Sequence, residues 1–173
     1  MTESESHQER PSATASSIAA FADLDHDRTQ RRGYPEAIYC TGKTPEQVGM
    51  IAAAVRDQPH VTLFTRAGKN HAAAILSELP GAFHDQQANL LAWPAEPPST
   101  TGGLVAVLAA GTSDLPVAKE AQLTASYLGR PTELVVDVGV AGLHRILGRL
   151  DLLRRARVPQ SIVTALSFSG ACR

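Results

Sequence analysis

The residues best suited to chemistry in this chain form two short groups. The first is Gly111-Thr112-Ser113-Asp114, followed by Leu115-Pro116. Thr112 and Ser113 offer hydroxyls, Gly111 offers close approach of the backbone, and a following helix offers unpaired amides at its positive end. That set suits a phosphate, and Asp114 can accept hydrogen bonds from ribose hydroxyls. Ser-Asp ahead of a helix is equally ordinary capping chemistry, so these residues alone leave both readings open. The second group is Asp137-Val138-Gly139-Val140-Ala141-Gly142-Leu143-His144-Arg145. Here His144 can carry a proton near neutral pH, and Arg145 can hold a phosphate or carboxylate with a two-pronged fork. A half-buried helix histidine and a solvated arginine are the plainer alternative. The Gly-x-x-Gly spacing is too loose to mark a dinucleotide site.

Other reactive side chains are scattered. Cys40 and Cys172 match no metal-ligand or disulfide spacing, which fits a reducing cytoplasm. His7, His60, His71 and His84 are isolated and read as surface or half-buried residues.

The elements that must position these groups alternate. Thr44-Pro45-Glu46-Gln47 is a capping box with proline at the first helical position. Val48, Ile51, Ala52 and Val55 then recur at helical spacing. Short strands are predicted at Ala37–Cys40, His60–Thr65 and Ala88–Trp93, with a second helix over Asn70–Leu79. This makes a small N-terminal β-α-β-α-β unit. Pro94 to Gly103 carries prolines, glycines and a Ser-Thr-Thr run, and reads as a linker. Gly103–Ala110 is almost wholly apolar, as a strand buried on both faces of a parallel sheet would be. Helix Pro116–Leu128 stops at Gly129. Strand Thr132–Val138 and helix Gly142–Arg155 follow, with Leu143, Ile146, Leu147, Leu150 and Leu153 on one face. Ser161–Leu166 is a candidate third strand. The fold class is therefore α/β: an N-terminal unit followed by an incomplete flavodoxin-like parallel sheet. The domain reading is a disordered tail at 1–20, an N-terminal α/β domain at 21–94, a linker at 95–102, a partial second domain at 103–158 and a divergent end at 159–173.

Composition narrows the class. The chain has 173 residues, of which 43% are hydrophobic and 19% charged, as in soluble globular proteins. A net charge of −1 gives no bulk attraction for nucleic acid. No apolar run reaches membrane-spanning length, and the Ser/Thr/Glu-rich start is no secretory signal.

The two groups also resemble a known superfamily. Gly111-Thr112-Ser113-Asp114 is similar to the Gly-Ser-x-Ser-Asp turn of aminoimidazole ribonucleotide carboxylases and mutases. His144-Arg145 resembles their Ala-His-Arg segment. The fuller wording Ala-Gly-Thr-Ser-Asp-Leu-Pro-Val-Ala looks most like the LarB branch, whose members make a precursor of the nickel-pincer nucleotide cofactor. Asp23-Leu24-Asp25-His26-Asp27-Arg28, Arg32-Gly33-Tyr34-Pro35-Glu36, Gly42-Lys43-Thr44-Pro45-Glu46-Gln47 and Thr65-Arg66-Ala67 resemble that branch's N-terminal signature. The resemblance covers Phe21 to Val158.

It implies a carboxylase and hydrolase acting on nicotinate adenine dinucleotide. Carbon dioxide or bicarbonate would be co-substrate, and AMP would be released. It further implies nucleotide or phosphate binding by Gly111, Thr112, Ser113, Asp114 and Arg145, and His144 as proton carrier. Homo-oligomers are implied as well. Asp25 and Asp27 offer oxygens to a divalent metal such as Mg²⁺, but hard cations want more ligands than these. Ion pairs are the other reading for Asp25, Asp27, Arg28, Lys43 and Arg66. The superfamily's nucleophilic cysteine lies beyond the resembling part, and Cys172 does not take its place. The expectation is thus a chain cut short and impaired in catalysis. Aminoimidazole ribonucleotide carboxylation in purine biosynthesis and non-catalytic nucleotide binding are the alternatives.

Overall fold

The computed structural model describes residues 35–138, 147–148 and 150–156, and the backbone of 163–165. Strand β1 is Glu36–Tyr39, helix α1 Pro45–Val55, strand β2 Thr62–Thr65, and helix α2 Lys69–Glu78. Strands β3 (Phe83–Asp85) and β4 (Leu90–Trp93) close the first sheet. Strand β5 (Val105–Ala109) leads through a 3-10 turn, Thr112–Asp114, into helix α3 (Leu115–Tyr127). Strand β6 (Thr132–Val136), helix α4 (Leu150–Arg155) and strand β7 (Val163–Ala165) follow. The expected tail falls outside the described residues, as do Asp25, Asp27 and Arg28.

The first sheet has the order β1-β2-β4-β3. Strands β1 and β2 run parallel, while β4 is antiparallel to both β2 and β3. Strand β3 escaped the sequence reading because three residues are too few to show an alternating pattern. Side chains alternate across the sheet, as the pleat requires. Ile38, Phe64 and Leu91 meet α1 and α2 on one face. Leu63, Leu90 and Ala92 meet Tyr127 of α3 on the other, with Phe83 and Leu123 packed against them.

The second sheet is parallel, with order β6-β5-β7. Its central strand is the apolar run, buried on both faces as its composition predicts. Val107 and Ala109 pack on Ala118 of α3, and Ala106 and Leu108 pack on Leu152 and Ala156. Of the predicted inward face, Leu153 packs on this core, while Leu143 and Ile146 lie outside the described residues. Leu147 and Leu150 are exposed, whereas Leu152 is buried. Apolar residues on several sides of this helix leave periodicity unable to choose the face.

Helix α3 therefore packs against both sheets. The stretch between them is pinned to its end. Tyr127 Oη donates to the Ala95 carbonyl, the Thr101 amide to the Gly129 carbonyl at 2.6 Å, and Arg130 to the Thr101 carbonyl at 3.2 Å. Gly129 ends the helix with φ +71°, and a Cβ there would meet the Ser99 carbonyl at 3.3 Å.

Candidate functional site

The β5 strand leads into α3 and the chain then returns to β6 on one side of β5. From β6 it crosses through α4 to β7 on the other side. The direction of winding thus reverses at β5, and the crevice outside its carboxyl end is where open α/β sheets bind ligands. Gly111-Thr112-Ser113-Asp114 occupies that position.

Within the turn, the Asp114 amide donates to the Gly111 carbonyl at 3.1 Å, and the Leu115 amide to the Thr112 carbonyl. Thr112 and Ser113 are exposed, while Asp114 is buried. Asp114 stands at the cap position of α3 but makes no side-chain capping bond there. The simple capping reading of Ser-Asp is therefore not what the turn does. At the start of α3 the Leu115 amide is used within the 3-10 turn and Pro116 has no amide to offer, so the exposed Thr112 and Ser113 are the groups left facing outward.

Gly111 holds no conformation peculiar to glycine. Its φ of −151° is extended backbone that any residue can adopt. A Cβ there would meet only the Ser113 hydroxyl, at 4.0 Å. The missing side chain leaves open space at the strand end, which close approach of a ligand to the backbone would use.

The neighbouring strand end carries Asp137 in the left-handed region, at φ +64°. The next residue, Val138, is buried and donates its amide to the Ala109 carbonyl at 3.2 Å. This bond ties the two predicted turns to one sheet edge. His144 and Arg145 lie outside the described residues.

The other candidates fall elsewhere. Cys40 is fully buried, and its thiol is pushed up to about 11 by burial, which the Lys43 charge only partly opposes. Such a thiol stays protonated at neutral pH and is no nucleophile. Arg66 pairs with Glu120 at 3.0 Å, and burial raises the Glu120 carboxyl above its usual range against the pull of Arg66. The imidazole of His71 lies 2.8 Å from the Lys43 carbonyl through Nε2. That nitrogen donates to the carbonyl, and the buried Nδ1 meets no partner among the described residues. Among the described residues no three His, Cys, Asp or Glu side chains gather as metal ligands. No helix among them is long and apolar enough to cross a membrane.

Residues 16–95 match the LarB/PurE-like N-terminal domain. An uncharacterised protein of Methanocaldococcus jannaschii is 28% identical over 148 residues. That alignment takes in 82% of this chain and 58% of the relative. The domain match takes in less than half of this chain, and the mixed α/β architecture with its parallel second sheet is consistent with a PurE-like flavodoxin-like fold.

Proposed function

We propose that the chain is part of a carboxylating enzyme of the LarB branch, acting on the pyridine ring of nicotinate adenine dinucleotide. The carrying observation is the match of residues 16–95 to the LarB/PurE-like N-terminal domain. The Gly-Thr-Ser-Asp turn at the winding reversal of the second sheet agrees with it. In this reading the exposed Thr112 and Ser113 hydroxyls ahead of α3 hold a nucleotide phosphate. Gly111 keeps the strand end clear for it, and Asp114 fixes the turn or accepts ribose hydroxyls. Arg145 adds a cation. A ring C–H is replaced by C–carboxylate with carbon dioxide as the carbon source, and His144 takes the released proton. Hydrolysis of the phosphoanhydride releases AMP.

Isothermal titration of the purified chain with nicotinate adenine dinucleotide and with aminoimidazole ribonucleotide tests this, together with incorporation of labelled bicarbonate. The dinucleotide should bind, and Ser113→Ala should weaken it by about tenfold, the worth of one hydrogen bond to a charged group. Preference for the ribonucleotide would favour the purine reaction instead. Indifference to both ligands would sink the proposal. Binding of the dinucleotide without labelled product would favour a nucleotide-binding role.

A further inference from the structure

A groove of about 600 Å³ runs between the first sheet and α3, and neither Gly111 nor the rest of its turn lines it. Its walls bring Tyr39, Arg66, Val117, Glu120, Leu128 and Arg130 together. The volume lies in the range of small-molecule sites. Tyr39, Val117 and Leu128 are also three of the large hydrophobic side chains that the described structure leaves exposed, Tyr39 at 57%. Apolar surface gathered in one concave place calls for an occupant.

The polar groups specify its charge. Arg66 and Arg130 supply two guanidinium groups and Glu120 a single carboxylate. Arg66 stands immediately beyond β2, at the carboxyl end of the parallel β1–β2 pair, and Tyr39 is the last residue of β1. Its φ is +55°, a region that arginine seldom occupies. The bond from the Ala67 amide to the Asn89 carbonyl, at 2.8 Å, holds the chain in that conformation. Residues kept in sparsely populated conformations cluster at ligand-binding places. Here the conformation accompanies a guanidinium at the groove wall, against Glu120.

We propose that this groove is a second ligand site, taking a small aromatic phosphate or carboxylate. The ring lies against Tyr39, and the anionic head meets Arg66 and Arg130, which the Glu120 carboxylate and the Thr101 carbonyl hold in its absence. Glu120 is its internal competitor, because it occupies Arg66 until the head displaces it. The inference does not depend on the reading of the Gly111 turn.

The test is protein-observed NMR titration of the full chain with phenyl phosphate, cyclohexyl phosphate, benzoate and inorganic phosphate. Phenyl phosphate and benzoate should bind more tightly than inorganic phosphate, and phenyl phosphate more tightly than its cyclohexyl counterpart. Arg66→Met and Arg130→Met should each weaken phenyl phosphate by about tenfold, the loss of a charge-assisted bond. Tyr39→Ala should weaken it by roughly threefold to tenfold and leave inorganic phosphate unchanged. Glu120→Gln should tighten binding, which a merely structural ion pair would not do. Arg66→Lys, which keeps the charge and loses the fork, should fall between wild type and Arg66→Met. The proposal is overturned if the arginine variants, shown folded by circular dichroism, bind phenyl phosphate as wild type does. It is equally overturned if Glu120→Gln weakens binding, or if Gly111→Val abolishes it while Arg66→Met leaves it intact.

Discussion

The two sheets start alike, each with parallel strands joined through a helix, but they finish their polar ends in opposite ways. The first sheet folds back through the β3–β4 hairpin, and most of its loose groups are stitched locally, although α2 begins at Gly68 with no side-chain cap. Thr44 and Gln47 complete the capping box of α1, as the sequence predicts. Asp85 accepts the amides of Gln87 and Ala88 at 2.9 and 2.8 Å. The Trp93 indole donates to the Arg56 carbonyl, and Arg56 in turn holds the Glu78 carbonyl. The second sheet is parallel, so successive strands end at the same edge. There α3 begins with no side-chain cap, and Asp137 takes a left-handed conformation. The exposed Thr112 and Ser113 hydroxyls at that edge are groups a ligand can use; groups already matched are not.

The largest effect should come where the two regions meet. Tyr127 is 3% exposed, belongs to α3, and fills the outer face of the first sheet. Tyr127→Ala should cost about 3 to 5 kcal/mol, as large aromatic truncations do. Urea unfolding would measure it, followed both by Trp93 fluorescence and by circular dichroism. If the shared helix welds the sheets, the two signals shift together in one transition. Separate transitions would show that the sheets unfold independently and would break the picture of α3 as common core.

Next in size is the fastening of Asp85. Burial pushes its carboxyl up, but the Ala88 and Gln87 amides and Lys119 more than offset this, leaving it below the usual 3.8. A carboxyl lowered by folding stabilises the protein above its unfolded value and loses that contribution as pH falls through the lowered one. Asp85→Asn should therefore cost about 1 to 2 kcal/mol at neutral pH. The gap from wild type should close in acid, below the ordinary carboxylate value. A gap that stays constant with pH would mean that shape, and not charge, holds this hairpin.

What could be read from the residues follows a physical line. Local signals were legible: the capping box at Thr44, the stop at Gly129, and the apolar run of β5 that demands two covered faces. The Gly-Thr-Ser-Asp turn could be located because its place follows from strand and helix order alone. Its details could not. Whether Gly111 needs a left-handed conformation depends on the path of the chain, and its extended φ shows that it does not. Long-range contacts were equally hidden. The packing of Tyr127 on the first sheet, the pinning of the linker at Thr101, and the meeting of Arg66 with Glu120 join residues far apart in sequence. The strand β3 gains its identity from pairing with β4 and not from its own composition.

A matched pair of helix starts sharpens the comparison at smaller cost. Thr44→Ala removes a side-chain cap that is made, and should lose about 1 kcal/mol of stability. It should leave nucleotide affinity unchanged, since its donors are already satisfied within the chain. Ser113→Ala removes an exposed hydroxyl from the start of α3. Its stability should stay within about 0.5 kcal/mol of wild type, while nucleotide affinity falls. Thermal melts and calorimetric titrations of both variants would check this crossing. Equal stability losses would mean that Ser113 too caps a helix.

The smallest change in stability should come from Gly111→Ala, and its value lies in that smallness. The backbone there is already extended, and a methyl group would touch only the end of Ser113, so no strain follows. Loss of glycine's freedom in the unfolded chain even favours the variant by a few tenths of a kcal/mol, about 0.4 or more. Yet the methyl would stand at the mouth of β5, where a phosphate approaching the Thr112 and Ser113 hydroxyls must pass. A melting temperature unchanged or slightly raised, together with weakened nucleotide binding, would assign the glycine to the ligand. Unchanged binding would remove Gly111 from the site and leave Thr112 and Ser113 to hold it from the helix side. A large drop in stability would instead show that the turn is packed more tightly than its open surroundings indicate.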